Sequence, residues 1–248
     1  MTPNQSKRSY GQLTDTGLLR PINQDSILVR HYPNESDAER PGCDLFVVAD
    51  GMGGHEQGER ASAMATDIIS REFAESIKDS SVPIIEALVN ALEKANQAIL
   101  EALPRSGTVV TAAVLVGRKV HMVHVGDTRA YLVTNEGAEQ LTHDHSLVQR
   151  LIDLGQQEQA SHYPPNILYR ALGQFEELEV DSFTRQLPAG ARLLLCSDGL
   201  WGVIKPEELQ RIAVNPNISP EAACAQLINL ANERGGPDNI AAILVDID

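Results

Sequence analysis

Short, continuous apolar runs constrain the fold of this chain most strongly. Asp44–Ala49 reads DLFVVA, and Val109–Val116 and Ile240–Val245 are similarly apolar, each with turn residues beside it. Runs of this length fit buried strands of a sheet. Even Ala112–Val116 lies in a stretch far too short to span a bilayer, and the N-terminal residues MTPNQSKRSYGQ contain no apolar run of a signal peptide. We therefore expect no membrane partner.

Two pairs of helix signals separate the groups of strands. Apolar residues recur at helical spacing from Gly58, and again after Pro83, which suits the first position of a helix. Later in the chain one helix is expected to begin at Pro206. Another is expected with Ser219 as its N-cap and Pro220 in its first position.

The strands of the middle region are separated by glycines. Val109–Val116, Val120–Val125 and Ala130–Val133 are expected to form an antiparallel meander. Strands and helices come in blocks rather than in strict alternation, which predicts an α+β fold with a central antiparallel β-sandwich flanked by pairs of α-helices, in four αββα layers. Without repeats or a linker, residues 1–248 are expected to form one domain, with an exposed flap at about Asp144–Gln174.

Charge and cysteine content exclude some classes of protein. The chain has 34 acidic and 20 basic residues, a net charge of −14, and no Lys/Arg cluster, so a nucleic-acid partner is not expected. The excess acid either serves solubility or includes carboxylates that bind cations. The three cysteines are an odd number with no CxxC pair, which favours buried free thiols and a cytoplasmic location.

Four aspartates share one setting in the sequence. Asp50, Asp127, Asp198 and Asp238 each lie at the tip of an apolar strand, beside a glycine or in a Gly/Pro turn. Any one of them could be a simple turn residue. If the strands end at one edge, however, the carboxylates would crowd together, and Mg²⁺ or Mn²⁺ would relieve their repulsion. Gly51 either lets its carbonyl join the metal or only supplies turn geometry.

The motifs that contain these aspartates resemble a known family, the metal-dependent type 2C (PPM) serine/threonine protein phosphatases in their compact bacterial form. The resemblance runs in order over about residues 9–247. It rests chiefly on the stretches GLLRPINQDS (17–26), LFVVADGMGGHEQGERAS (45–62), VHVGDTRAYLV (123–133), LLLCSDGLWGVI (193–204) and GGPDNIAAILV (235–245). The fold of that family, a β-sandwich between helix pairs, agrees with the block order.

The resemblance implies a metal centre. Asp50 would bridge two Mn²⁺ or Mg²⁺ ions, with the carbonyl of Gly51 on one of them, and Asp198 and Asp238 would complete the shell of the first ion. Asp127 lies where the family has a ligand for a third, weaker metal. Some relatives carry an acid shortly after the tryptophan of the SDG motif, and Gly202 stands there in this chain, which weakens the expectation for that third ion.

The resemblance also implies roles in catalysis. A water shared by the two ions would attack phosphorus directly, with Asp25 helping to orient metal-bound water and Arg20 gripping the substrate phosphate. His55 is a candidate general acid, although it is equally well a surface histidine. Animal members have a histidine right after the Asp-Gly pair, where this chain has Met52. A metal-bound water could therefore serve as the acid instead.

The expected enzyme is a cytoplasmic, monomeric protein-serine/threonine phosphatase, with residues 1–248 as its catalytic domain. Its substrates would be phosphorylated proteins, among them a Ser/Thr kinase or the targets of that kinase. Two alternatives are a pseudophosphatase that only binds phosphoproteins and a metal-dependent hydrolase of small phosphoesters. His143 and His145 are interpreted as turn or capping residues and Trp201 as a packing residue.

Overall fold

The computed structural model describes residues 8–33, 42–53 and 57–248. Within these ranges the strands are β1 (Tyr10–Asp15), β2 (Asp25–Tyr32), β3 (Cys43–Met52), β4 (Gly107–Val116), β5 (Lys119–Val125), β6 (Arg129–Thr134), β7 (Gly137–Gln140), β8 (Asp181–Gln186), β9 (Arg192–Cys196) and β10 (Ile240–Asp246). The helices are α1 (Gln57–Ser76), α2 (Ile84–Ala102), α3 (Leu147–Asp153), α4 (Gln157–Ala160), α5 (Asp198–Trp201), α6 (Pro206–Ala213) and α7 (Pro220–Glu233).

The strands form two five-stranded antiparallel sheets. One has the order β1-β10-β9-β6-β7 and the other the order β2-β3-β4-β5-β8. One apolar core lies between the sheets, a second lies between the β3-containing sheet and the pair α1/α2, and a third lies between the β10-containing sheet and α5, α6 and α7. The predicted α+β sandwich with four αββα layers is confirmed.

Strand β3 is continuously apolar because both of its faces pack into apolar cores. Side chains alternate along a strand, so Leu45 and Val47 pack toward α1 and α2 while Phe46 and Val48 pack between the sheets. Both faces of β3 are covered. Asp50 continues the face of Phe46 and Val48, and the strand therefore aims this carboxylate into the end of the layer between the sheets.

The predicted meander of three strands is wrong in its last member. β4 pairs with β5, but β6 lies in the other sheet, where it pairs with β7 and β9. The chain leaves β5 at Gly126, whose φ is +111° and where a Cβ would lie 2.0 Å from Cγ1 of Val109. Alternation of apolar residues does not distinguish two sheets that share one core, so the sequence pattern could not reveal this crossing.

Other local expectations are largely met. The hydroxyl of Ser219 accepts a hydrogen bond from the backbone N–H of Ala222, so Ser219 caps α7 and Pro220 is its first residue. Pro83 is instead the N-cap of α2, with ψ 141°, and the helix begins one residue later than predicted. All three cysteines are buried free thiols, as expected. Among the described residues, no helix is long and apolar enough to cross a bilayer.

Close packing of β1 on α7 generates a stability prediction. A Cβ at Gly11 would lie 2.3 Å from the backbone nitrogen of Glu221, whereas a Cβ at Gly137 would meet open space. Gly11→Ala forces backbone to move, so it should lower the free energy of unfolding by about 1–3 kcal/mol in urea denaturation. Gly137→Ala is the matched control and should change it by less than about 0.5 kcal/mol. Equal effects of the two substitutions would contradict this packing.

Candidate metal centre

Most of the predicted site residues line one cleft. The cleft has a volume of about 340 Å³, and Arg20, Asp50, Asp127, Asp198 and Asp238 all line it. They come from the loop after β1, the end of β3, the turn after β5, the start of α5 and the turn before β10. Strand tips from both sheets therefore deliver their carboxylates to the same end of the sandwich, as the sequence predicted.

A larger cavity of about 780 Å³ lies beside the flap. Tyr169, Arg170 and Phe175 contribute to its lining, together with three glutamates. None of the candidate metal ligands borders it. The smaller cleft is therefore the candidate site.

Two neighbouring strands carry carboxyl groups side by side at the cleft. Asp25 and Asp50 are direct cross-strand partners on β2 and β3, and opposite residues of an antiparallel pair project to the same face. Asp198 is also close enough for its charge to raise the pKa values of both Asp50 and Asp25. Three carboxyl groups thus lie together at the layer between the sheets.

Burial of these groups shifts their titration. Loss of hydration, followed by the charge of neighbouring aspartates, raises the pKa of Asp25 to about 8 and places the pKa of Asp50 well above its ordinary range. The same causes raise the pKa of Asp127 to about 7 and of Asp198 to about 6. A cluster of carboxyl groups that resists ionisation in this way favours a bound cation, which would stabilise the ionised forms.

Two buried oxygens fit that interpretation. Among the described residues, Oδ1 of Asp25 and Oδ1 of Asp198 are buried without a hydrogen-bond partner, which is costly unless another group satisfies them. The donor set is all oxygen, as Mg²⁺ and Mn²⁺ prefer. Gly51 is also required: a Cβ there would lie 2.0 Å from the carbonyl oxygen of Gly58. The residues present therefore fit a centre for hard divalent cations.

The carboxyl groups that the structure describes do not form a preorganised metal site. Within the described residues, no three acidic, histidine or cysteine side chains are already grouped as ligands of one ion. Asp238 is engaged instead by Arg20, whose guanidinium donates a hydrogen bond of 2.6 Å to its Oδ2. Their side chains are 51% and 30% exposed, so this ion pair is open to exchange. Asp238 can therefore be released to a cation without breaking a buried contact.

Asn239 is a functional residue to which sequence reasoning gave no role. Its side-chain oxygen accepts from the backbone N–H of Gln24, and its amide nitrogen donates to the carbonyls of Thr16 and Ile22. These bonds fix the loop that carries Arg20 beside Asp238. The sequence shows only that an Asn directly precedes an apolar strand, and this pattern is equally typical of an ordinary turn.

Ser197 was also missed. Its hydroxyl donates to Oδ2 of Asp25 at 2.6 Å and accepts from the backbone N–H of Ala241 at 2.8 Å. It therefore ties Asp25 of one sheet to β10 of the other. Its position beside Asp198 in the SDG motif was the only indication in the sequence.

Trp201 makes specific polar contacts in addition to packing. Its indole N–H donates to the backbone carbonyl of Asp127 at 2.9 Å, and the guanidinium of Arg129 stacks 3.6 Å from its ring centroid. Arg129 in turn forms a partly buried, bidentate ion pair with Asp144. Since α5 also begins with Asp198, the indole joins the turn of Asp127 to the helix of Asp198.

His145 and the flap also make contacts at or near the cleft. His145 is buried and accepts from the backbone N–H of Gly126, rather than acting only as a turn residue. Gln174 of the flap lines the cleft and donates to Sδ of Met52 at 3.2 Å. His55 lies outside the described residues, so its role as general acid stays a prediction.

This chain is similar in sequence and in fold to known protein phosphatases. The profile of the family described as protein phosphatase 2C matches residues 22–244. The serine/threonine phosphatase stp of Listeria monocytogenes is 36% identical over 95% of this chain and 94% of its own, and protein phosphatase PhpP of Streptococcus pneumoniae is 36% identical over 95% and 96%. The catalytic domain of the phosphatase PstP, solved with two manganese ions, superimposes with a TM-score of 0.78 at 32% identity, covering 96% and 98% of the chains.

The raised pKa of Asp25 predicts a pH-dependent effect in metal-free protein. A carboxyl group whose pKa rises on folding stabilises the fold below its unfolded pKa, and that contribution is lost as the pH rises to its folded pKa. For Asp25 the loss runs from about pH 4 to about pH 8. Asp25→Asn removes the ionisation, so it should increase the free energy of unfolding at pH 8 by about 2 kcal/mol or more, with little effect at pH 4.

Urea denaturation in the presence of a chelator measures both values. Asp67→Asn, at an exposed position of α1, is the control and should leave stability nearly unchanged at both pH values. If the free energy of unfolding of Asp25→Asn at pH 8 were no higher than that of the unmodified protein, ionisation of the buried Asp25 would not destabilise the fold, and the prediction would be wrong.

Proposed function

Because the chain belongs to the protein phosphatase 2C family, we propose that its cleft is the active site of a protein serine/threonine phosphatase, with Asp50, Asp198 and Asp238 as metal ligands. The family is metal-dependent, and its members that match this chain over nearly its full length are serine/threonine phosphatases. The observation that carries the assignment of the site is the convergence of strand-tip carboxylates with two unsatisfied buried oxygens.

The proposed centre holds two Mn²⁺ or Mg²⁺ ions. Asp50, which is the cross-strand partner of Asp25 and is influenced by the charge of Asp198, would hold both ions, and the absence of a side chain at Gly51 would leave its backbone free to approach. When bound, such ions supply an activated water and neutralise charge on phosphate oxygens. Asp127 is the candidate for a third, weaker ion, and Gly202 offers no second carboxylate there.

Arg20 is proposed to bind the substrate phosphate. It is the only cationic side chain among the described residues that line the cleft, and its planar guanidinium suits bidentate contact with phosphate oxygens. In the structure it rests on Asp238. Because the guanidinium is half exposed, it can turn from that carboxylate to an incoming phosphate while Asn239 keeps its loop in place.

Asp25 is proposed to orient the attacking water. It lies opposite Asp50, and Ser197 fixes one of its oxygens while the other has no hydrogen-bond partner among the described residues. The unsatisfied oxygen is therefore available to accept a proton or hydrogen bond. His55 is retained as the candidate that protonates the leaving serine or threonine oxygen.

The substrates, partners and location of this chain are proposals as well. Substrates of the family's phosphatases are phosphoproteins, and we propose a Ser/Thr kinase or its targets as the partners of this chain, in the cytoplasm. The acidic chain, with net charge −14, is poorly suited to nucleic acid. Residues 1–248 are proposed to act as one monomeric catalytic domain, in which the flap of about 144–174 shapes access to the cleft.

Removal of one metal ligand should separate an enzyme from a binding protein. Asp198→Ala should lower Mn²⁺-dependent release of phosphate from a phosphothreonine peptide by at least about 100-fold, because the transition state would lose charge stabilisation. Its metal binding is followed by fluorescence, since Trp201 is the single tryptophan and adjoins Asp198. Asp67→Asn, on the exposed side of α1, serves as the control and should retain full turnover.

Two outcomes would contradict this assignment. Full activity of Asp198→Ala would remove Asp198 from the metal centre. Tight phosphopeptide binding by the unmodified protein without any turnover would instead favour the pseudophosphatase alternative.

Replacement of Arg20 tests its assignment to phosphate. Arg20→Ala should raise KM for phosphopeptides about 10- to 100-fold, because a charge-assisted contact is lost. Affinity for Mn²⁺, read from Trp201 fluorescence, should be unchanged or increased, since Asp238 no longer pairs with the guanidinium. Arg20→Lys should restore little, because an ammonium group lacks the bidentate geometry. An unchanged KM with weaker Mn²⁺ binding would assign Arg20 to the metal centre instead.

A further inference from the structure

Exposed large apolar side chains are concentrated in two segments, each of which also contributes residues to the cleft. Among the described residues, those with more than a third of their surface exposed are Leu13, Leu18, Leu19, Ile152, Leu154, Tyr163, Ile167 and Phe175. All except Leu13 lie either in the loop just before Arg20 or in the segment 152–175 that contains most of the flap. Apolar exposure that is confined in this way indicates an interaction surface.

Leu18 and Leu19, here called the leucine pair, are the most exposed of the set together with Leu154, at 65% and 72%. Their backbone is nevertheless firmly held. The N–H groups of both leucines donate to the carbonyl of Gly236, at 2.8 and 3.2 Å. Gly17 before them has φ +74°, and a Cβ there would lie 2.2 Å from the carbonyl oxygen of Asp238. The loop is fixed against the turn that carries Asp238, and only the two side chains project outward.

The place of the leucine pair relates it directly to the substrate. Leu19 precedes Arg20, so their Cα atoms are about 3.8 Å apart. An extended peptide advances about 3.3 Å per residue. If Arg20 holds the phosphate, the residues within about three positions of the phosphorylated residue pass within reach of the leucine pair.

The flap also brings apolar residues to the cleft. Leu168 lines the cleft from the flap, and its neighbour Ile167 is 40% exposed. The floor is strongly acidic, with four aspartates and one arginine among the described lining residues. With cations bound these charges are offset, so selection depends on apolar contact: an apolar side chain flanking the phosphoresidue gains contact with the leucine pair or with these residues of the flap.

From these observations we propose that the leucine pair is a substrate-docking surface that selects phosphoproteins with an apolar residue within about three positions of the phosphoserine or phosphothreonine. This inference rests on the proposed function and adds a substrate class to it. The occupant is a segment of the phosphorylated partner, because the surface is continuous with the residue assigned to its phosphate.

The test compares phosphothreonine peptides in a Gly/Ser background. Each carries one leucine at a position from −3 to +3, and the reference peptide carries serine there. The unmodified protein with Mn²⁺ should hydrolyse at least one leucine peptide with about 5- to 20-fold higher kcat/KM than the reference, the scale of a partly buried apolar contact. The double substitution Leu18→Ser/Leu19→Ser should reduce that preference below about twofold.

Two controls separate docking from damage to the site. Turnover of p-nitrophenyl phosphate, which has no peptide chain, should be unchanged in the double variant. Leu13→Ser, the matched change at the exposed leucine of β1, should retain the preference for the leucine peptide.

The outcomes distinguish failure of the docking surface from failure of the proposed function. Equal kcat/KM for all peptides, or a leucine preference that persists in the double variant, overturns the docking surface and leaves the phosphatase assignment intact. A dimer in sedimentation that the double substitution converts to monomer overturns it too, because a second copy would then cover the leucine pair. Absence of Mn²⁺-dependent turnover on every substrate overturns the proposed function itself.

Discussion

The crowding of carboxylates at one end of the sandwich is the constraint on which the rest of the structure depends. Asp25 and Asp50 face each other across neighbouring strands, and Asp198 reaches the same place from the other sheet. Buried like charges are among the costliest arrangements in a protein. Burial and the neighbouring aspartates accordingly raise the pKa of each of these groups. A divalent cation reverses the balance, because the same oxygens then become its ligands.

Several neutral hydrogen bonds hold these acidic groups in position without neutralising them. The Thr108 hydroxyl donates to the carbonyl of Asp50, and Ser197 donates to Asp25. Asn239 fixes the loop of Arg20, while Trp201 fixes the turn of Asp127. Outer contacts of this kind orient metal ligands and preserve their charge for the ion. The two packed sheets supply the rigidity, since each carboxylate adjoins a strand whose side chains are buried in the core.

The sequence predicted the parts of this arrangement that depend on strand ends. An apolar run followed by Asp-Gly places a carboxylate at a strand tip, and tips of neighbouring strands must meet. It could not predict that β6 crosses to the other sheet, because both sheets contribute to one core and show the same alternation. It also gave no role to Ser197 or Asn239, because a polar residue in a turn looks the same whether it caps a turn or supports a site.

The cleft also explains why the departure at Met52 matters for catalysis. Apart from Arg20, the titratable side chains among its described lining residues are all aspartates, and with cations bound these would be ionised. Met52 itself offers no proton, and its sulfur accepts a hydrogen bond from Gln174 of the flap. Arginine does not release a proton at neutral pH. We therefore propose that the proton for the leaving serine or threonine oxygen comes from His55, which lies outside the described residues, or from water. Because Gln174 contacts Met52, movement of the flap, which is proposed to shape access to the cleft, would also change the surroundings of Met52.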